Sequence, residues 1–225
     1  MDISFLISTN RPELANVVID YINKIGHFED YQYEICVFSP NNFSQKNVVN
    51  FRDSGGGPLY GFNLMAQRSK GQYLYVLADD NLPAYNLFDA VNFLKSNDFL
   101  CRKNGENRKI HVTTLRSDSP CWIPQEPLPN NTKDLVDSKT LMLRWPVFTR
   151  DTLHDHLNGH IFHPRFIYHW ADNYLSWFIN KTEEPIECNI KLYGMRNNNK
   201  YNDIFDEKDY NVFRELINNF SGNYV

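Results

Sequence analysis

The stretch from Gly71 to Pro83, GQYLYVLADDNLP, constrains the fold more than any other part of the chain. Its segment Tyr73 to Leu77 is an unbroken apolar run that is rich in aromatic residues. A run of this length and composition favours a strand covered on both faces, as a central strand of an α/β sheet is. We expect the strand to end in the segment Ala78 to Asn81, and Pro83 prevents the ladder from continuing because proline has no backbone N–H to donate.

Three polar residues, Asp79, Asp80 and Asn81, come directly after this apolar run. Open α/β sheets bind their ligands at the carboxyl ends of their strands, which is where these side chains would lie. Two adjacent carboxylates repel each other unless they share a cation, and oxygen ligands suit Mg²⁺ or Mn²⁺. Asp and Asn are also ordinary turn residues, so this stretch alone leaves a ligand site and a solvated turn equally open.

The N-terminal third of the chain has the pattern of a βαβ unit. Ile3 to Ser8 predicts a strand, Pro12 to Gly26 an amphipathic helix, and Glu34 to Phe38 a second strand. Val48 to Phe51 indicates a third short strand, which runs into the glycine-rich segment 53–58. Three consecutive glycines there allow a ligand to approach the backbone closely, although the spacing is not that of a phosphate-binding loop.

Bulk properties exclude several classes of protein. The 225 residues carry a formal net charge of −4, which argues against a broad nucleic-acid-binding surface. No window approaches the roughly 20 apolar residues of a membrane span, and the first apolar run is too short for a signal peptide. The four cysteines are widely spaced and form no metal or disulfide signature. We therefore expect a cytoplasmic protein with free thiols, folded as one domain over residues 1–225.

Several segments, taken in order, resemble the family 2 glycosyltransferases, which have the GT-A fold. These segments are STNRPEL, YEICVFSP, GFNLMAQRSKGQYLYVLADDNLP, LRWPVFTRDTL and FIYHWADNYLSWF, and they span residues 3–180. The resemblance implies a Rossmann-like, three-layer α/β/α sandwich with a mostly parallel mixed central sheet. Residues 1–83 would form the nucleotide-sugar-binding half, residues 84–195 the acceptor-side half, and residues 196–225 a connector and C-terminal helix.

The resemblance also implies a reaction and its partners. The donor would be a nucleoside-diphosphate sugar, most simply a UDP- or GDP-sugar, with Mn²⁺ or Mg²⁺ on its diphosphate. The acceptor would be a hydroxyl of a glycan or another molecule. The sugar would be transferred with inversion at its anomeric carbon.

Donor-binding roles follow from the resemblance, residue by residue. Residues that would surround the nucleotide and its sugar are Thr9, Asn10, Arg11, Ser39, Asp53, Asn63 and Asp79. Within this set, Asp53 would approach the edge of the base, Asn63 would lie on the donor-side helix, and Asp79 would lie nearer the ribose.

Metal-binding and catalytic roles follow in the same way. The resemblance gives Asp80 to the metal, with His169 as a further ligand and His163 in reserve. Asp172 stands at the position of the general base, which takes the proton from the attacking hydroxyl.

Two departures from the family pattern keep a second function open. Ser39 ends the second strand where the family usually has Asp, and the acidic element reads Asp79-Asp80 rather than Asp-x-Asp. A catalytically silent module that binds a nucleotide sugar without turnover would also fit these changes. A third alternative is a zinc-dependent hydrolase, because His154, His156 and His160 have a spacing reminiscent of zinc sites.

Overall fold

The computed structural model describes residues 1–27, 29–83, 86–103, 112–117, 143, 145–168, 170–182, 185–194 and 203–225. Its strands are β1 (Ile3–Ser8), β2 (Tyr33–Ser39), β3 (Val48–Arg52), β4 (Tyr73–Leu77), β5 (Asn81–Pro83), β6 (Val112–Ser117), β7 (Pro146–Thr149) and β8 (Ile186–Gly194). Its helices are α1 (Pro12–Gly26), α2 (Gly57–Arg68), α3 (Asp89–Lys103), α4 (Arg150–Asp155), α5 (Ala171–Thr182) and α6 (Asp203–Asn218).

The eight strands form one mixed sheet in the order β3-β2-β1-β4-β7-β6-β8-β5. Strands β1 to β4 are all parallel, and β6 and β8 are parallel to each other. Strand β7 runs antiparallel to both of its neighbours, and β5 runs antiparallel to β8. The expected mostly parallel mixed sheet is therefore confirmed, and β4 lies inside it, between β1 and β7.

Helices cover both faces of the sheet, so the expected three layers are also confirmed. On one face, Leu6 and Val76 pack with α2, α5 and α6 in one apolar cluster. On the other face, Phe5 and Leu77 pack with α1 and α3 in a second cluster. Neighbouring residues of one strand thus belong to opposite cores, because successive side chains of a strand point to opposite faces. This explains why β4 is apolar throughout and why β1 is apolar except for Ser4 and the terminal Ser8.

Gly71 lets the chain pass from α2 into β4. A Cβ atom added at Gly71 would lie 2.4 Å from the backbone nitrogen of Ser4 in β1, closer than any side chain can approach. The backbone N–H of Gly71 also donates a 2.7 Å hydrogen bond to the Ser4 hydroxyl. This close approach brings β4 alongside β1 and fixes where Asp79 and Asp80 emerge.

Strand β4 ends at Leu77, before the polar residues that the sequence predicted would end it, but the short strand that ends at Pro83 was not predicted. Asn81–Pro83 forms β5, which pairs with Leu192 to Gly194 of β8. Proline is tolerated there because β5 is an edge strand. Since β5 begins only four residues after β4 ends, it lies within about 14 Å of Leu77. The far end of the sheet must therefore curl back over the carboxyl end of β4.

Two further expectations concern thiols and membrane spans. Cys36 and Cys188 are buried free thiols, and burial raises the pKa of the Cys36 thiol. Among the described residues, no helix is long and apolar enough to cross a membrane.

Candidate active site

Polar side chains from four neighbouring strands meet at one edge of the sheet. Thr9 follows β1, Ser39 ends β2, Asp53 follows β3, and Asp79 follows β4. Backbone hydrogen bonds continue past the strand ends, from Thr9 N to Phe38 O at 2.9 Å and from Asp53 N to Ser39 O at 3.1 Å. The parallel register therefore brings together residues that are up to 70 positions apart.

Asp79 is the buried centre of this edge, with 3% of its surface exposed. Its Oδ2 atom accepts a 2.5 Å hydrogen bond from Thr9 Oγ1 and a 3.0 Å bond from Arg11 Nε. Its Oδ1 atom accepts a bond from Arg11 Nη2. This bidentate contact is the strong form of an arginine–carboxylate pair, so the negative charge of Asp79 is balanced by Arg11.

Thr9 and the start of α1 hold Arg11 in place. The Thr9 hydroxyl oxygen accepts a 2.9 Å bond from the backbone N–H of Arg11 while its proton goes to Asp79. Pro12 then begins α1, and the carbonyl oxygen of Arg11 accepts from the N–H groups of Leu14 and Ala15. The sequence Thr-Asn-Arg-Pro therefore aims the guanidinium across the sheet edge.

Asp80 lies beside this pair and is more open, with 26% of its side chain exposed. Its Oδ2 atom accepts a 3.1 Å bond from Arg11 Nη2, and its Oδ1 atom accepts a 3.2 Å bond from Asn81 Nδ2. Burial alone lowers the pKa of Arg11, but the hydrogen bonds and charges of Asp79 and Asp80 raise it overall, so the guanidinium stays charged. The guanidinium of Arg11 therefore balances the charge of both Asp79 and Asp80.

The predicted turn after β4 is present, and it separates the roles of the two carboxylates. Both oxygens of Asp79 accept hydrogen bonds, so Asp79 suits a fixed anchor. Each oxygen of Asp80 accepts one hydrogen bond and keeps lone-pair capacity, in a partly exposed position. A single carboxylate of this kind, completed by phosphate oxygens and water, fits the ligand set of Mg²⁺ or Mn²⁺.

Asp53 and Ser39 shape the neighbouring loop. Asp53 Oδ1 accepts a 2.7 Å bond from the backbone N–H of Gly55, which closes a tight turn. Gly55 and Gly57 have φ values of 96° and 77°, a conformation that other residues rarely adopt. The Ser39 hydroxyl accepts a 3.1 Å bond from Asn41 N. The glycine run therefore serves a sharp turn into α2 beside the strand ends.

Asn63 is engaged inside the protein. Its Nδ2 atom donates a 2.7 Å bond to Phe162 O, and its Oδ1 atom accepts a 2.9 Å bond from Phe162 N. These bonds tie α2 to the segment before α5, and a donor contact through the same amide would have to replace them. Asn10, by contrast, is exposed at the edge next to Arg11.

Asp172 lies in the first turn of α5, as the sequence predicted, and is partly buried. Its Oδ1 atom accepts a 3.0 Å bond from the next backbone N–H, that of Asn173. Two aromatic residues near it in sequence pack in the core: the ring centroid of Trp170 lies 4.8 Å from that of Tyr210, and the ring centroid of Tyr174 lies 5.3 Å from that of Tyr224.

A residue that the sequence analysis missed fixes the segment in front of Asp172. Asp209, fully buried on α6, accepts bonds from Ile167 N at 3.0 Å and from Tyr168 N at 2.7 Å. The chain then passes through Trp170, which has a φ of 60°. An acidic residue on the apolar side of an amphipathic helix was the available signal, because Asp209 directly precedes Tyr210 and lies one helical turn before Phe213.

His154, His156 and His160, which are all among the described residues, do not form the zinc site that the third alternative needs. In the described ranges, no three His, Cys, Asp or Glu side chains are grouped to hold a metal ion. His154 is exposed on α4. His163 lies inside an aromatic cluster with Phe166, Tyr174 and Tyr224. His169 lies outside the described residues.

Comparison with known proteins identifies the fold. No family model and no curated protein matches the chain. Among solved structures, the 1–349 fragment of S. aureus TarS in complex with UDP-GlcNAc superposes with a TM-score of 0.61 at 12% identity, over 96% of this chain and 65% of that one. Glucosyl-3-phosphoglycerate synthase from Mycobacterium tuberculosis, in complex with Mn²⁺, UDP and phosphoglyceric acid, has a TM-score of 0.61 at 13% identity. That match covers 96% of this chain and 78% of the synthase.

The chain is shorter than these neighbours. It spans 64% of the TarS 1–349 fragment and 40% of the longer TarS chain. The shared part nevertheless covers nearly the whole of this chain and includes the sheet whose carboxyl edge carries Thr9, Arg11, Asp79 and Asp80. The chain therefore has the GT-A fold of these glycosyltransferases.

Proposed function

We propose that this protein is an inverting glycosyltransferase, which moves a sugar from a nucleoside-diphosphate sugar to an acceptor hydroxyl. The observation that carries this proposal is the cluster of Thr9, Arg11, Asp79 and Asp80 at the carboxyl ends of β1 and β4. It lies in a fold whose solved examples bind UDP and UDP-GlcNAc. A UDP-sugar is accordingly the first donor to test.

The donor's nucleoside would lie along the ends of β1 to β3. Ser39 and Asp53 are adjacent there, and the turn at Gly55 leaves the backbone close to any bound ring. Asn10 and Arg11 border the same edge from the β1 side, and Asp79 would face the ribose. We propose that residues 1–83 form the donor half of one domain, with residues 84–195 on the acceptor side.

In the transfer step, the acceptor oxygen attacks the anomeric carbon from the face opposite the diphosphate. The new carbon–oxygen bond forms as the bond to the leaving phosphate oxygen breaks, and that oxygen keeps the electron pair. Asp172 would take the acceptor's proton as general base, a role that needs a carboxylate within hydrogen-bond reach of the hydroxyl. Its position at the start of α5 and its partial burial support this assignment.

Asp80 would hold a divalent ion against the diphosphate, with His169 as the proposed further ligand. When bound, such an ion supplies Lewis-acid stabilisation of the charge that develops on the leaving group. Mn²⁺ accompanies UDP in the mycobacterial synthase, which supports the choice of ion.

A catalytically silent nucleotide-sugar-binding module remains the second candidate. Ser39 in place of the usual carboxylate favours it, and so does Arg11, which already compensates the acidic pair. The two candidates predict the same ligand and differ in turnover.

Thermal unfolding with UDP- and GDP-sugars, each with and without Mn²⁺, tests the proposal. A ligand at 100 times its dissociation constant stabilises a protein by about 2.7 kcal/mol, which corresponds to roughly 5–10 °C for a chain of this size. We expect such a shift with at least one nucleotide sugar, followed by transfer or slow hydrolysis of the bound sugar. Binding without any turnover would favour the silent module, and no shift at millimolar concentrations would reject both.

A further inference from the structure

The most unusual feature of the acidic pair is that a cation of the protein lies between its two members. Arg11 Nη2 donates to Asp79 Oδ1 and also to Asp80 Oδ2, the latter at 3.1 Å. A divalent ion on Asp80 would therefore sit a few ångströms from a guanidinium that is permanently charged. In a partly buried site, like charges at such a separation repel strongly.

We infer that Arg11 is a built-in counter-cation that competes with the divalent metal for Asp80, so that metal binds well only when the donor's diphosphate binds with it. This inference rests on the proposed function for the identity of the diphosphate. It concerns the order of binding and the charge balance of the site, and it assigns Arg11 to the metal side of the site rather than only to the base and ribose.

Arg11 is held more strongly by Asp79 than by Asp80, so Asp80 is the side chain that can move. Asp79 is buried and receives two bonds from Arg11 and one from Thr9. Asp80 is partly exposed and receives one bond from Arg11. A rotation of the Asp80 side chain therefore releases it for a metal, while Arg11 stays fixed on Asp79.

The guanidinium also has spare donor capacity. Its Nη1 atom is buried and has no hydrogen-bond partner, although nearly all buried polar atoms in native proteins have one. A phosphate oxygen is the acceptor that an arginine fork matches best. When Asp80 turns to the metal, a diphosphate would give Arg11 the acceptors that it lacks and would add negative charge between the two cations.

Mn²⁺ binding measured by calorimetry, with and without UDP, tests this inference independently of sugar transfer. In the wild-type protein we expect UDP to tighten Mn²⁺ binding by more than tenfold. Arg11→Gln and Arg11→Met each remove the charge and keep a long side chain. Both variants should bind Mn²⁺ alone at least about tenfold more tightly than the wild type, and UDP should tighten that binding less.

The matched control is Arg165→Gln, which removes one arginine charge from an exposed ion pair with Glu215. It should leave Mn²⁺ affinity within twofold of the wild type. Equal Mn²⁺ affinity in wild type and folded Arg11 variants would overturn the inference, as would equal tightening by the control. If neither Arg11 variant folds but calorimetry shows that UDP binds to the wild type, equal Mn²⁺ affinity with and without UDP still overturns it, and a tenfold difference supports it. Failure of the proposed function is distinguishable, because UDP would then not bind while the metal-only comparison still reports on Arg11.

Discussion

Acid should destabilise this protein through His163, a buried histidine in the segment between α4 and α5. Only 5% of His163 is exposed, and its ring is 5.5 Å from Tyr174 and 5.9 Å from Tyr224. Burial, with smaller contributions from Arg165 and His160, lowers its pKa from 6.5 to about 4. Its Nδ1 atom already accepts a 3.3 Å bond from Arg165 N, as the neutral ring requires.

The sign and size of the effect follow from linkage. The folded-state pKa is below the unfolded value, so between pH 6.5 and 4 the unfolded chain binds more protons at this site than the folded one does. The free energy of unfolding therefore falls as the pH falls. From about 1.4 kcal/mol per pKa unit, the loss from this residue is about 2 kcal/mol between pH 7 and pH 5 and about 3 kcal/mol in full.

Urea unfolding at pH 7, 6 and 5 measures this loss. His163→Phe keeps an aromatic ring and removes the titration, so its free energy of unfolding should change less over this pH range by about 2 kcal/mol than that of the wild type. His154→Phe, at an exposed position on α4, is the matched control and should lose stability as steeply as the wild type. The reasoning fails if His163→Phe is as acid-sensitive as the wild type.

Three further substitutions test the site and its support. Asp172→Asn should lower the transfer rate by about 10² to 10⁴-fold with donor affinity nearly unchanged, because it removes only basicity; a lower melting temperature with near-normal transfer would assign Asp172 to the helix instead. Asp80→Ala should abolish most of the dependence of turnover on divalent ions and leave the melting temperature close to that of the wild type, whereas retained Mn²⁺ dependence would exclude Asp80 as a ligand. Asp209→Asn should cost about 1–3 kcal/mol in urea unfolding, since an amide cannot accept all of the backbone N–H bonds from Ile167 and Tyr168. Glu215→Gln, in an exposed pair on the same helix, should barely change the unfolding midpoint, and an equal loss in both variants would contradict the role given to burial.

The N-terminal half of the sheet, β1 to β4, was largely predictable, and the physical reason is burial. Parallel strands covered on both faces are almost continuously apolar: β4 has no interruption, and β1 is interrupted only by Ser4 before its terminal Ser8. Strand β8 was missed, although Ile186 to Leu192 largely alternates apolar and polar residues, which is the ordinary signal of a half-buried strand. Strand β5 gave no such signal, because three residues that end in proline form a strand only where β8 is available to pair with them.

The sequence predicted where the residues of the candidate site lie, but it did not predict which of them contact each other. The sequence placed Thr9, Ser39, Asp53 and Asp79 at strand ends, and the parallel register brings them to one edge. The bonds from Arg11 to Asp79 and Asp80 join residues 68 and 69 positions apart, and no local pattern specifies them. The two hydrogen bonds between the Asn63 amide and the backbone of Phe162 also join residues far apart in sequence. Only the folded structure shows that this amide is already hydrogen-bonded.

Strand β5 connects the turn that carries Asp80 directly to β8. Asn81 bonds to Asp80 through its side chain and is paired with Gly194, so the acidic turn is directly attached to the last residues of β8. A rotation of the Asp80 side chain toward a ligand would therefore disturb the pairing of β5 with β8, which has only three residue pairs. The rate of amide hydrogen exchange at Leu192 to Gly194 should therefore change when a ligand binds at Asp80, even though β8 and β4 are not neighbours in the sheet.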